Sequence, residues 1–346
     1  MRHLDITPPE PAGDVDAFLE PGITPVPARM TNLLILLGLT EAVRNQYRDR
    51  LQARFPELAI NLVDHPSKVG PHIASADVLL TFTPMLTSRV IEQASHLKWI
   101  QTLGTGVDNL IDQPELRKDV LVTNVRGIHG PPVSEAAIAA MLALARNLPG
   151  AVRAQDAQQW RRWPAQLLHN KTVGIFGVGL IAEALAPKCK AFGMRVIGVS
   201  SAPRTVAGFD RILSRDELMR VVDEFDFLVL LTPLTAATRN SIDAKVFAAM
   251  KPSAFLVNLA RGGVVDEPAL VEALRAGRIG GAALDVFNEE PLPGDHPFWS
   301  MQNVIITTHQ GGFCDVYIDY ALPTVEANMR CFLKGDFDGM INVVEH

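Results

Sequence analysis

The 346-residue chain has only three cysteines, Cys189, Cys314 and Cys331, an odd number with no paired short spacing. A disulfide framework and a zinc site of the paired-cysteine kind are thereby set aside. It also lacks a basic excess: the formal net charge is -6, with lysine and arginine scattered. Binding along a phosphate backbone needs a positive field, so nucleic acid is not an expected partner, although a locally positive site for a small anion remains possible. Long hydrophobic runs are missing too. The most apolar stretches, such as NLLILLG and FLVLLTPL, fall well short of the roughly 20 residues of a membrane span and read as buried strands. Residues 1–30 are rich in proline and acidic groups, without a basic stretch leading into an apolar run. Secretion is not indicated, and a reducing cytoplasm is the expected compartment.

What is present is a globular balance, 48% hydrophobic and 20% charged, in a chain long enough for two domains with cores of their own. After the Pro-rich leader, short apolar runs alternate with helix-like segments at 32–38, 58–63, 76–82, 97–104 and 120–125, the rhythm of βαβ units around a parallel sheet. A long helical pattern follows, PPVSEAAIAAMLALARNLPGAVRAQDAQQW, which Pro149 is expected to kink or end. A second series then runs through KTVGIFG, MRVIGVS, FLVLLTPL, AFLVNLA, GAALDVF and NVIITTH. The tail from 313 reads as helical, broken or kinked at Pro323 and ending in INVV, and is expected to pack back on the first domain. The expectation is an α/β fold of two Rossmann-like, doubly wound parallel-sheet domains with a cleft between them. Residues 1–30 form an extension, 31–128 with 311–346 one domain, and 129–310 the other.

Only the second series carries glycines at its first turn, Gly177-Val178-Gly179-Leu180-Ile181-Ala182, directly after TVGIF and before a helix pattern. In a dinucleotide fold the first glycine makes the tight turn and the second lets the backbone approach the pyrophosphate. Phosphate then meets the unpaired N–H groups and positive end of the helix. The third place needs only a small residue for close helix packing, and Ala182 serves. The asymmetry assigns the cofactor to the second domain. About 20 residues on, where an acidic side chain usually selects NAD through the ribose hydroxyls, stands Ser200, followed by Ser201 and Arg204. Hydroxyls and a guanidinium suit a 2′-phosphate, so NADP is preferred over NAD.

Three further residues stand at strand ends, where open α/β sheets place their ligands. Arg261 follows AFLVNLA, and a guanidinium there can hold a carboxylate and a carbonyl oxygen by paired hydrogen bonds. His309 ends NVIITTH, and histidine suits donation of a proton to a developing alkoxide. Glu290, in AALDVFNEEPLP, is the candidate carboxylate that favours the charged imidazole. Each residue taken singly also fits an ordinary structural role.

In combination they carry a resemblance that covers residues 32 to 344. The matching segments are Leu103-Gly104-Thr105-Gly106-Val107-Asp108-Asn109, Val133-Ser134-Glu135, Gly177 to Ala182, Thr232-Pro233-Leu234-Thr235, Asn258-Leu259-Ala260-Arg261-Gly262-Gly263, Asp285-Val286-Phe287 with Glu290-Pro291, and Thr308-His309. In these the chain resembles the D-isomer-specific 2-hydroxyacid dehydrogenases, the family of glyoxylate and hydroxypyruvate reductases and phosphoglycerate dehydrogenase. The resemblance implies an oxidoreductase moving a hydride between NAD(P)H and a small 2-keto acid, with Arg261, Glu290 and His309 catalytic. It implies that N–H groups around Thr105 and Gly106, with Arg261 and His309, hold the substrate. It places Asp285 at the nicotinamide carboxamide and Thr232-Pro233 along the adenosine half. The implied cofactor set is then Gly177, Gly179, Leu180, Ile181, Ser200, Ser201, Arg204, Thr232, Pro233, Ala260, Arg261, Asp285, His309 and Gly311, with no metal. A homodimer using the helix near 131–148 is also implied.

Thr308 departs from the family's usual proline before the histidine. One branch of the family is a protein-binding corepressor that senses NAD(H) with the same three residues, and steady turnover separates the two. A methyltransferase shares the glycine turn but has no use for Arg261, Glu290 and His309.

Overall fold

The computed structural model describes residues 30–108 and 110–346, so the leader and Asn109 lie outside the described residues. Two parallel sheets organise the chain. The first contains β1 (Thr31–Leu36), β2 (Leu58–Val63), β3 (Val78–Thr81), β4 (Trp99–Thr102) and β5 (Leu121–Thr123), in the order β2-β1-β3-β4-β5. Its connections carry the helices α1 (Glu41–Arg54), α2 (Gly70–Ile73) and α3 (Ser88–Glu92). Then come α4 (Gly130–Ala145) and α5 (Leu148–Asp156).

The second sheet contains β6 (Thr172–Phe176), β7 (Arg195–Ser200), β8 (Arg211–Ser214), β9 (Phe227–Leu230), β10 (Phe255–Asn258), β11 (Gly281–Leu284) and β12 (Val304–Ile306), in the order β12-β11-β10-β9-β6-β7-β8. The helices α6 (Leu180–Ala191), α7 (Ala244–Ala249) and α8 (Glu267–Arg275) connect them, and α9 (Tyr317–Lys334) follows. Strands buried on both faces need apolar residues at every position, not every second one. That is why VLLT, FLVL and FLVN are wholly buried. β6 pairs with both β7 and β9, so the strand order reverses beside the glycine turn, the place where open α/β sheets leave a crevice.

The structure corrects two expectations and adds a strand. The long helical pattern is two helices, broken at Asn147, which adopts φ 50° and accepts a hydrogen bond from the Gly150 N–H. Pro149 lies in the first turn of α5, where its missing N–H costs nothing, and the helix ends at Asp156. The tail is not broken at Pro323: α9 runs through it. Pro323 and Asp319, four residues before it, are both exposed, so the carbonyl left unpaired meets water while the opposite face packs. β8 was not expected at all; it is a four-residue edge strand with no fully buried residue.

The tail closes the first sheet. Tyr317, Ala321, Leu322, Val325 and Met329 of α9 share a core with Leu33, Ile35, Trp99 and Leu103. Val343 bridges Thr123 in antiparallel fashion, and the Val344 N–H donates to Val122 at 2.8 Å. Inside that core Trp99 donates to Thr123, Thr123 to Gln101, and Asn328 of α9 to Gln101, at 2.8, 2.8 and 3.1 Å. A buried polar chain whose members are all partnered fixes the seating of the helix. Among the described residues no helix is long and apolar enough to cross a membrane.

Candidate active site

β6 ends in Gly177, whose φ of 105° favours glycine. A Cβ there would lie 2.6 Å from the Thr232 backbone nitrogen, so the turn passes against the end of β9 only because no side chain intervenes. Gly179 is the N-cap of α6 and has no side-chain capping bond. Nothing lies within 4 Å of where its Cβ would be. Space and unpaired N–H groups therefore coincide at a helix start, with Leu180 and Ile181 in the first turn. Ala182 is fully buried under that turn. Thr232 is buried and Pro233 exposed at the facing strand end.

β7 ends at Ser200, and Ser201 is exposed beside it. The Arg204 guanidinium returns to the glycine turn, 3.4 Å from the Val178 carbonyl oxygen and 2.7 Å from Glu183 in α6. Five of the expected cofactor positions, Gly177, Gly179, Ser200, Ser201 and Arg204, thus gather on one rim.

Arg261 follows β10, on a loop fixed by Asn258, which accepts from the Ala260 N–H at 3.1 Å and donates to the Arg261 carbonyl at 3.0 Å. The guanidinium crosses to the loop after β4. Its Nε donates to Asp108 at 2.7 Å and its Nη1 to the Ala260 carbonyl at 2.6 Å. Nη2 lies so close to Gly106 that a Cβ there would fall 1.6 Å away. The arginine of one half and the Gly104-Thr105-Gly106 loop of the other are therefore in direct contact.

His309 stands three residues beyond β12 with φ 52°, held by donation of its N–H to the Asp285 carbonyl at 2.8 Å. The Asp285 carboxylate is buried and accepts from Thr307 Oγ1, the Gln310 N–H and the Gly311 N–H, at 2.5, 3.0 and 2.9 Å. Asp285 and Gly311, both expected to touch cofactor, thus bond to each other and shape the turn that presents His309. His309 Nδ1 lies 2.7 Å from Glu290 Oε2, and the other carboxylate oxygen accepts from the Phe287 N–H at 3.0 Å. Burial alone raises the Glu290 pKa. The hydrogen bonds from His309 and the Phe287 N–H, with the charges of His309 and Arg261, outweigh it and hold the carboxyl below its ordinary value. The imidazole's second nitrogen points away from Glu290, and the side chain is 46% exposed.

Two residues without a role in the sequence reading join this site. Asp108 sits in a quoted motif, yet only its contact with Arg261 reveals a function. His129, at the N-terminus of α4, brings Nδ1 to 2.9 Å from Thr105 Oγ1 and Nε2 to 3.0 Å from the Tyr317 hydroxyl. Burial, and then the Arg261 charge, push its pKa down to about 4. A single histidine after a strand offers no periodic signal; a search for histidines near the glycine loop would have raised it.

Residues 138–311, half of the chain, match the family described as D-isomer specific 2-hydroxyacid dehydrogenase, NAD binding domain. The chain belongs to this family. Among curated relatives, the D-3-phosphoglycerate dehydrogenase of Methanocaldococcus jannaschii is 37% identical over 276 residues, covering 78% of this chain and 52% of the relative. The chain thus spans about half the length of that enzyme. Among solved structures, a D-isomer specific 2-hydroxyacid dehydrogenase family protein from Aeromonas salmonicida subsp. salmonicida is 34% identical, with a TM-score of 0.81 over 91% of this chain and 99% of its own. The NADPH-dependent glyoxylate/hydroxypyruvate reductase of Sinorhizobium meliloti, solved with NADP and sulfate, is 27% identical, with a TM-score of 0.77 over 91% and 98%. Two parallel-sheet α/β domains, one bearing the glycine turn, are the architecture this family member shares with those structures.

Proposed function

We propose that this family member reduces small 2-keto acids to D-2-hydroxy acids, and the reverse, using a nicotinamide dinucleotide. The observation that carries the reading is the His309–Glu290 pair at 2.7 Å, on the same side of the molecule as an arginine pressed against the Gly106 loop. Residues 129–310 serve as the dinucleotide-binding part, and 31–128 with 311–346 as the substrate-binding part. The glycine turn fits the dinucleotide: Gly177 cannot carry a side chain, and Gly179 leaves open space at an uncapped helix start. When bound, the reduced nicotinamide supplies the hydride.

The protein's own part is positional and electrostatic. N–H groups of the Thr105–Gly106 loop and the Arg261 guanidinium take the substrate carboxylate, and Arg261 polarises the keto oxygen. His309 gives its proton from Nε2 to the oxygen that becomes the hydroxyl, while Glu290, ionised at working pH, steadies the imidazolium through Nδ1. Asp285 and Thr307 hold the backbone turn that aims the ring.

The same reading favours NADPH. No acid stands at the end of β7, and Arg204 reaches the rim of the glycine turn. Its exposed pair with Glu183 is weak enough for a 2′-phosphate to displace. A homodimer completes it: Leu148, Val152, Trp160 and Leu167 are exposed along α5 and the segment after it, beside a groove of about 690 Å³. The free thiols Cys189, Cys314 and Cys331 suit a reducing compartment, which this reading takes to be the cytoplasm.

A panel of 2-keto acids assayed with NADPH and NADH tests the reading. Turnover is expected with both, and better with NADPH. Arg204→Ala should lower kcat/KM for NADPH by about 10-fold and leave the NADH value near its original. Tight dinucleotide binding with negligible turnover of every acid would overturn the enzymatic reading, and an NADH preference the cofactor choice.

A further inference from the structure

The hydroxyl of Thr105 stands exposed on the loop that, in the reading above, receives the substrate, and its hydrogen-bond polarity follows from its neighbours. The Leu103 carbonyl can only accept, so the Tyr317 hydroxyl spends its single proton there. The Tyr317 oxygen must then accept from His129 Nε2, 3.0 Å away. His129 is neutral near pH 7, because burial and the neighbouring Arg261 charge hold its pKa down to about 4. A neutral ring carries one proton, and here it is on Nε2. Nδ1 is therefore a bare lone pair facing Thr105 Oγ1 at 2.9 Å, and Thr105 must donate to it.

The arrangement is locked. Asn124 donates to the Thr105 carbonyl at 3.0 Å and itself accepts from the Arg126 N–H at 2.9 Å. Gly312 packs so closely on the ring that a Cβ would lie 2.9 Å from His129 Cδ2.

We infer that His129 is a positioning residue: as the Nε2-protonated tautomer it draws the Thr105 proton away from the cleft, so that Thr105 meets the substrate as a hydrogen-bond acceptor. The inference rests on the Thr105 loop being the substrate loop. Its chemical consequence is a polarity filter. A threonine whose proton is already committed repels a carboxylate oxygen and accepts from a donor, so the substrate carboxylate is confined to the backbone N–H groups and Arg261. At Thr105 the site then rewards a hydroxyl on the carbon next to the keto group over a bare methyl.

The test is a double-mutant cycle read with hydroxypyruvate and pyruvate, which differ by that hydroxyl. In the unmodified protein kcat/KM should favour hydroxypyruvate. Thr105→Val should cut the hydroxypyruvate value, chiefly through KM, by about 10-fold more than it cuts the pyruvate value. His129→Leu should do the same, and the double variant should be no worse than Thr105→Val alone, because a residue acting through Thr105 has nothing to act on without it. His129→Asn, whose amide oxygen can stand where Nδ1 does, should restore most of the preference. Multiplying losses in the double variant, or an unchanged ratio in either single one, would overturn the inference.

Should His129→Leu fail to fold, ¹⁵N spectra of the unmodified protein decide. His129 should show a protonated Nε2 and a bare Nδ1 near pH 7, and the opposite tautomer or a charged ring would sink the idea. Absence of turnover with every 2-keto acid would instead sink the reading of the site, while the spectrum still decides the His129–Thr105 pairing.

Discussion

The two sheets begin alike and end in different chemistry. In each, a central strand leads through a short turn into a helix, β1 into α1 past the single Gly38 and β6 into α6 past Gly177 and Gly179. At Gly38 an added Cβ would make ordinary contact, 3.4 Å from the flexible Met85 side chain. At Gly177 it would strike backbone from a residue already at φ 105°. One turn merely tolerates glycine; the other is built from it. Shared topology therefore supplies strand ends, and a few backbone approaches decide which of them can receive a phosphate.

The sharpest way to break this division of labour is at the chemistry. His309→Ala should lower kcat by about 10²–10⁴-fold while the dinucleotide dissociation constant stays near its original value, since the proton donor is lost and the glycine turn is not. Stopped-flow turnover with fluorescence titration of the cofactor checks both. A variant that keeps most of its kcat shows that another group is the acid.

Next in size is the pair of glycines themselves. Gly177→Ala should cost about 2–4 kcal/mol of stability through backbone strain and collision, and dinucleotide binding with it. Gly38→Ala should shift stability by less than about 1 kcal/mol. Thermal unfolding of the two variants side by side reads the contrast, and equal losses would erase it.

Arg261→Lys keeps the charge that links the halves but not the fork that reaches Asp108 and the Gly106 loop together. A fall of about 10–100-fold in kcat/KM is expected, and steady-state kinetics equal to the parent's would remove Arg261 from the site.

The smallest effect concerns pH. Glu290 is held below its ordinary pKa and so is ionised throughout the working range. Glu290→Gln removes that charge from beside His309 Nδ1, and the alkaline limb of kcat for reduction should move to lower pH. An unmoved limb would uncouple the two residues.

Much of this was legible in sequence because it is repetitive. Eleven of the twelve strands among the described residues fall in the apolar runs to within a residue, and Arg261, Glu290 and His309 mark strand ends or the loops after them. What escaped was set by tertiary context. RILS is too short and too charged at its margins to signal β8, and only pairing with β7 makes it a strand. Pro323 carries a breaker's signature that packing on the opposite face of α9 overrides. Asp108 and His129 were invisible as functional groups for a related reason: their partners, Arg261, Thr105 and Tyr317, are assembled from distant parts of the chain.

That distance has a consequence for how the protein is made. Synthesis runs from the N-terminus, so β1 to β5 leave the ribosome long before α9, yet Tyr317, Leu322 and Met329 are part of the core that covers them. The half translated first is therefore completed last, and its apolar face must stay sheltered, by a chaperone or by loose collapse, while the whole second sheet is produced. A nascent chain halted before Tyr317 would carry every strand of the second sheet and an open first one, and should be the species that aggregates when translation stalls.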